Sequence, residues 1–138
     1  MKKGKTYKVL LKDLDSVYSK WLRQSAADEN GYVKCYTCKA IKHFKEMQCS
    51  HYHSRRILST RFYEKNTKPA CVKCNIFKEG NKPAYALALI KEYGKGILEE
   101  LDSLSKISVK YNRNKLSNMI FYYKGKLKCG ETSAYNGL

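Results

Sequence analysis

Cys35 and Cys38 form CYTC, Cys71 and Cys74 form CVKC, and residues 39–70 lie between the pairs. Each tight turn can present two thiolates to one ion, and two such turns complete the four-sulphur tetrahedron that zinc favours. The ion would also close a long loop that a small core could not hold alone. The other common use of CxxC, a redox dithiol, ordinarily rests on one motif at a strand–helix junction rather than on two matched pairs. A structural Zn2+ on Cys35, Cys38, Cys71 and Cys74 is therefore expected. Spacing leaves Cys49 and Cys129 as bystander thiols, although Cys49 could compete for the ion.

Between the pairs runs CSHYHSRR, residues 49–56. Hydrolysing a phosphodiester at neutral pH needs a base to activate water, a divalent cation to stabilise developing charge, and fixed cations to hold the strand. His51 could be that base; it could equally cap a hairpin or substitute as a zinc ligand. His53 would share the face of His51 if an extended strand continued that far, and could then bind metal or phosphate. Arg55, Arg56 and Arg61 offer guanidinium groups for bidentate phosphate contacts, and Lys78 could join them. Asn66 and Asn75, read alone, are ordinary turn and cap residues. His43 sits in a loop after the first pair, and Glu64 and Glu79 could serve as carboxylate ligands or partners for these cations, although each reads first as a surface ion-pair partner.

These residues need elements to place them. Leu14, Val17, Tyr18, Trp21 and Leu22 recur at helical spacing, which predicts an amphipathic helix with Asp13 as N-cap, Gly31 as stop and Trp21 in the core. Residues 31–80 read as short β-like stretches broken by turns. The first knuckle should precede a β-hairpin and the second should open a helix, a treble-clef arrangement that sets Asn75 opposite CSHYHSRR. NKPAYALALIKEYG, with an early Pro83 and terminal Gly94, predicts a helix, and GILEELDSL a second. Residues 106–128 carry seven Lys or Arg and no acid, with Tyr111, Phe121, Tyr122 and Tyr123 interleaved. That pattern reads as a phosphate-tracking arm in preference to a solvated face, and ETSAYNGL reads as a frayed end. The organisation expected is one compact unit: 1–34 as a basic segment and packed helix, 35–96 as the zinc core, and 97–138 as a basic helical extension.

The whole chain of 138 residues has a formal net charge of +16 and a pI near 9.6. A polyanionic partner is the first to consider, with nucleic acid leading. The charge is spread over three segments rather than laid along one helix, which disfavours docking on anionic lipid. No apolar run is long enough to span a bilayer, and the basic N-terminus lacks the apolar centre of a signal peptide. A reducing cytoplasm is the expected location, and it favours metal-bound over disulfide-bonded cysteines.

The order His51, Asn66, Asn75 resembles the ββα-metal, or HNH, nuclease arrangement. More specifically, LDSVYSKWLR, GYVKCYTCKAIKHF, CSHYHSRRILSTRF, the Asn of KNTKPACVKCN, and FKEGNKPAYALALIKEYG resemble the phage NinG (Rap) recombination-protein family over residues 10–95. The resemblance implies an α+β, mainly helical fold with a four-cysteine zinc treble-clef core between N- and C-terminal helices. It implies a phage-encoded, structure-specific endonuclease cutting branched DNA such as Holliday junctions and D-loops in the host cytoplasm. By position, His51 becomes the general base and Asn66 the residue that orients it. Asn75 becomes a ligand of Mg2+ or Mn2+, as is the corresponding asparagine in the similarly built phage endonuclease VII.

Many HNH enzymes place Asp directly before the base histidine, where this chain has Ser50, a poor ligand for a hard cation. The family commonly has an apolar residue where His53 stands, so His53 inherits no role. Symmetrical cutting of a junction would call for a homodimer. The alternative from another class is a non-catalytic zinc module that binds branched or single-stranded DNA; a structural protein without a nucleic-acid role is disfavoured by the charge.

Overall fold

The computed structural model of the chain describes residues 3–130 and 135. The first helix, α1 (Tyr7–Ser25), starts earlier than its apolar pattern indicated, because the stripe extends one turn back to Leu10. Thr6, not Asp13, is the N-cap, its Oγ1 accepting from the Val9 N–H at 3.3 Å. Asp13 lies within the helix, paired with Lys5 at 2.7 Å. The helix ends at Ser25, and Gly31, with φ of 87°, instead turns the chain into the first strand.

Strands β1 (Tyr32–Lys34) and β2 (Ile41–His43) pair antiparallel, and the first CxxC occupies the turn between them. The knuckle is thus inside a hairpin rather than ahead of one, its turn closed by Cys35 N–H donating to Ala40 O at 2.8 Å. Strand β3 (Met47–His51) pairs antiparallel with β4 (Thr67–Cys71), Met47 opposite Cys71 and His51 opposite Thr67. Residues 52–66 connect them through a single helical turn, α2 (Leu58–Arg61), and a 3-10 turn, Glu64–Asn66. Every residue of β4 is buried. The Tyr18 and Thr67 hydroxyls hydrogen-bond at 2.7 Å, locking α1 to it.

After β4 the chain makes a π-helical turn, Lys73–Phe77, so the second knuckle leads into a tight turn before the next helix begins. That helix, α3 (Lys82–Tyr93), has Asn81 and Gly94 at its ends, as the sequence indicates. It packs on α4 (Ile97–Ser105) through Tyr85, Leu89, Ile97 and Leu101. The last helix, α5 (Arg113–Cys129), lies against α1. Leu116, Met119, Ile120 and Tyr123 recur at helical spacing and join the α1 stripe in the largest apolar cluster, with Tyr123 ring centroids 5.1 Å from Tyr18 and 4.9 Å from Trp21. Residues 113–129 are consequently a core helix whose lysines lie off its buried face, not an arm. Counting charge alone hides that period. ETSAYNGL falls outside the described residues except for Tyr135. No described helix is long and apolar enough to cross a membrane.

Candidate metal centre and adjoining cleft

The ligand atoms of Cys35, Cys38, Cys71 and Cys74 all lie within 4.8 Å of one another. The Cys38 and Cys71 sulphurs are 3.7 Å apart. A disulfide would need about 2.0 Å, whereas a tetrahedron with Zn–S bonds of about 2.3 Å has edges of about 3.8 Å. The Cys71 N–H donates to Cys35 Sγ at 3.3 Å and Asn81 Nδ2 to Cys74 Sγ at 3.7 Å, the outer hydrogen bonds that steady thiolate ligands. Burial alone would raise the Cys35 thiol, but the Thr37 hydroxyl and the backbone amides of Cys38, Cys71 and Thr37 bring it down to about 6. Cys71 is pushed up to about 12, by burial first and by its neighbouring sulphurs. Sulphurs this close cannot all ionise without a cation among them, and the four cysteines could hold a metal such as zinc. Cys49 and Cys129 stand outside the cluster.

A cleft of about 590 Å³ is built from three parts of the chain. α1 contributes Asp15, Ser19 and Arg23; β3 contributes Gln48 and His51; the segment after Cys74 contributes Asn75 and Glu79, and Arg55 also lines it. The His51 Nε2 lies 2.9 Å from the Arg61 carbonyl oxygen. A carbonyl only accepts, so Nε2 carries the hydrogen and Nδ1 keeps a lone pair. Burial lowers the His51 pKa from its usual value, ahead of the opposing effects of the Arg61 carbonyl and Asp15, so the ring is neutral at pH 7. Asn75 Nδ2 donates to Gln48 Oε1 at 2.8 Å, which leaves the Asn75 amide oxygen as a hard donor atom. Lys82 Nζ donates to the His51 and Tyr52 carbonyls and fixes the end of β3.

His51, Asn75 and Arg55 therefore share one cleft, while the other sequence-derived candidates fall elsewhere. Asn66 is fully buried and does not touch the imidazole. Its Oδ1 accepts from the His53 N–H at 2.8 Å, and its Nδ2 donates to the carbonyls of His53 at 3.2 Å and Thr60 at 3.0 Å. It holds the backbone that leaves β3. His53 does not share the face of His51, because β3 ends at His51 and the alternation stops there. It packs edge-on to Tyr52, with Nε2 buried and unpartnered. Arg61, expected on phosphate, is instead turned inward: its Nε donates to Asp15 Oδ1 at 2.9 Å, its Nη2 to Asp15 Oδ2, and its Nη1 to the Arg55 carbonyl at 3.2 Å. Arg56 and Lys78 are exposed. His43 caps the 3-10 turn after β2, its Nδ1 accepting from the Lys45 N–H.

Ser50 is fully buried on the face of β3 opposite His51, and its carbonyl accepts from the Tyr85 hydroxyl at 2.9 Å. Ser50 does not line the cleft. Two carboxylates do line it: Glu79, which the sequence offered, and Asp15, which sequence reasoning missed. The signal was present: Asp15, Ser19 and Arg23 recur at i, i+4 and i+8 as a polar stripe beside the apolar one.

A mostly helical protein with small antiparallel sheets and a histidine-bearing cleft defines a class of α+β proteins with a four-cysteine cluster that could bind a metal. Within that class the chain belongs to the family described as Bacteriophage Lambda NinG protein, whose model matches residues 1–132. Protein ninG of Escherichia phage lambda is 27% identical over 93 residues, covering 62% of this chain and 45% of that protein. Protein ninG of Escherichia phage 933W is also 27% identical over 93 residues, covering 62% of this chain and 46% of its own length. The match thus spans less than half the length of these relatives. No solved structure matches.

Proposed function

We propose that this chain is a metal-dependent endonuclease that cuts branched DNA recombination intermediates, such as Holliday junctions and D-loops, in the host cytoplasm, with a zinc-stabilised treble-clef core of the ββα-metal (HNH-like) kind. The observation that carries the reading is His51: a neutral imidazole with Nε2–H pinned to the Arg61 carbonyl and Nδ1 left basic, lining the same cleft as Asn75. In this reading Nδ1 takes a proton from the attacking water. Asn75, through its amide oxygen, and Asp15 would hold a Mg2+ or Mn2+ ion. When bound, that ion would stabilise charge on the scissile phosphate. Arg55 and Arg56 grip the strand, and Asn66 keeps the loop after His51 in place. Arg61 positions Asp15 and His51 rather than contacting phosphate. Two such sites in a homodimer would cut both strands of a junction. The net charge of +16 supports a nucleic-acid substrate.

The second reading, a zinc module that binds branched or single-stranded DNA without cutting it, is favoured by one observation: Arg61 already neutralises Asp15. A labelled four-way junction incubated with Mg2+ or Mn2+ separates the two. Cleavage by wild type, abolished in His51→Ala with junction binding retained, supports the nuclease; binding without cleavage by wild type in both metals supports the module and rejects the enzyme.

A further inference from the structure

Phe77 is 79% exposed and Ile76 53%, and both stand on the π-helical turn that follows Asn75. A lone exposed hydrophobe means little, but this pair stands on a hydrogen-bonded turn. The Lys78 N–H donates to the Lys73 carbonyl at 3.0 Å and the Gly80 N–H to the Cys74 carbonyl at 2.9 Å. Cys74 itself belongs to the four-sulphur cluster. Leaving the turn, the chain takes positive φ at Glu79 (50°), Gly80 (90°) and Asn81 (49°), an unfavourable run for the two non-glycine residues. Wide i→i+5 turns are frequent at functional sites. Here the wide turn presents two apolar side chains to solvent, where packing gains nothing.

The surroundings indicate the occupant. Lys73 and Lys78 are exposed on either side of Ile76 and Phe77, while Asn75 and Glu79 of the same segment line the cleft. An apolar tip between two cations suits a ligand with a flat apolar face and an anionic backbone, which is a nucleotide. Paired duplex DNA hides its base faces, so the ring needs a base already unstacked or easily unstacked. We infer that Phe77, supported by Ile76, is a stacking wedge that takes an unstacked nucleobase at a DNA branch point. The phosphate next to that base would lie at the His51–Asn75 cleft. The inference rests on the nuclease reading and supplies a means by which branched DNA is told from linear duplex.

The test compares wild type with Phe77→Ala on a four-way junction and on a linear duplex of the same sequence, by fluorescence anisotropy, with 2-aminopurine beside the branch point. Phe77→Ala should bind the junction about tenfold more weakly, as loss of one base–aromatic stack predicts. Its duplex affinity should stay within about twofold, and the 2-aminopurine signal induced by wild type should disappear. Phe77→Trp should restore both readouts. Phe121→Ala, at a phenylalanine 81% exposed on α5, should change neither. Circular dichroism and zinc content should match wild type in each variant.

Unchanged junction affinity in Phe77→Ala, equal losses on both DNAs, an equal effect of Phe121→Ala, or a shift in sedimentation showing that the ring joins two copies would each overturn the wedge. If wild type cleaves the junction while Phe77→Ala binds it normally, the wedge alone fails. If wild type binds neither DNA, the nuclease reading fails and takes the wedge with it.

Discussion

The four-cysteine cluster draws its sulphurs from two turns, each of which sets its own geometry within four residues. The cleft beside it takes Asp15 from α1, His51 from the end of β3 and Asn75 from the turn after β4. The cluster needs only that two preformed pairs meet. The cleft needs α1 to cross β3 at one angle, β3 to end at His51, and the loop behind it to hold. A site assembled from short-range geometry survives small shifts in packing; one assembled across elements depends on every contact between them.

The largest test of this contrast removes the metal. Cys74→Ser, or a strong chelator, should abolish zinc binding and the cooperative thermal transition together, because structural zinc in small domains contributes on the order of 10 kcal/mol or more. Circular dichroism with metal analysis measures it, and a folded, metal-free protein would break the comparison.

His51→Ala should separate the two regions in the opposite sense. Zinc content and fold should persist while junction cleavage falls by at least about a hundredfold, the lower range for loss of a positioned general base. Single-turnover assays measure this. Loss of zinc in this variant would show the two regions to be one.

Asp15→Asn should have a smaller effect, confined to the cleft. It leaves Arg61 without its charged partner at side chains that are only 15% and 20% exposed. Removing these charge-assisted hydrogen bonds should cost about 2 kcal/mol in urea unfolding, with zinc content unchanged. A wild-type midpoint would show that the pair does not order the cleft.

The smallest effect is pH dependence. Burial holds the His51 pKa below its ordinary value of about 6.5. Below pH 6.5 the unfolded chain therefore binds the proton more readily than the folded one. The stability contributed by neutral His51 is complete above about pH 6.5 and declines as pH falls through the folded pKa. Cleavage should fall over that same lower window, and His51→Ala should flatten the acid limb of the stability profile. An acid limb unchanged in the variant would assign it to another group.

How far the sequence could be read follows the same division. The ends of α3 were legible because Asn81, Pro83 and Gly94 restrict backbone angles locally. The start of α1 was misplaced because Asp13 is a good cap by type, while the actual start was decided by Leu10 finding a place in the core. Ser50 read as a missing ligand only while its surroundings were unknown; it is fully buried and does not line the cleft. Residues 106–128 read as an arm because their charge is conspicuous, although Leu116, Met119, Ile120 and Tyr123 keep helical spacing.

By itself the sequence determined the paired thiols, the helix ends marked by proline and glycine, and the basic character that calls for a polyanion, since these depend on residue type and on spacing within a few positions. Only the tertiary structure decided that Asp15 reaches the cleft, that Arg61 holds it and accepts from His51 through its carbonyl, and that α5 covers α1. Each of those contacts joins segments distant in the chain. Its direction is set by how whole faces bury together, which no local spacing encodes.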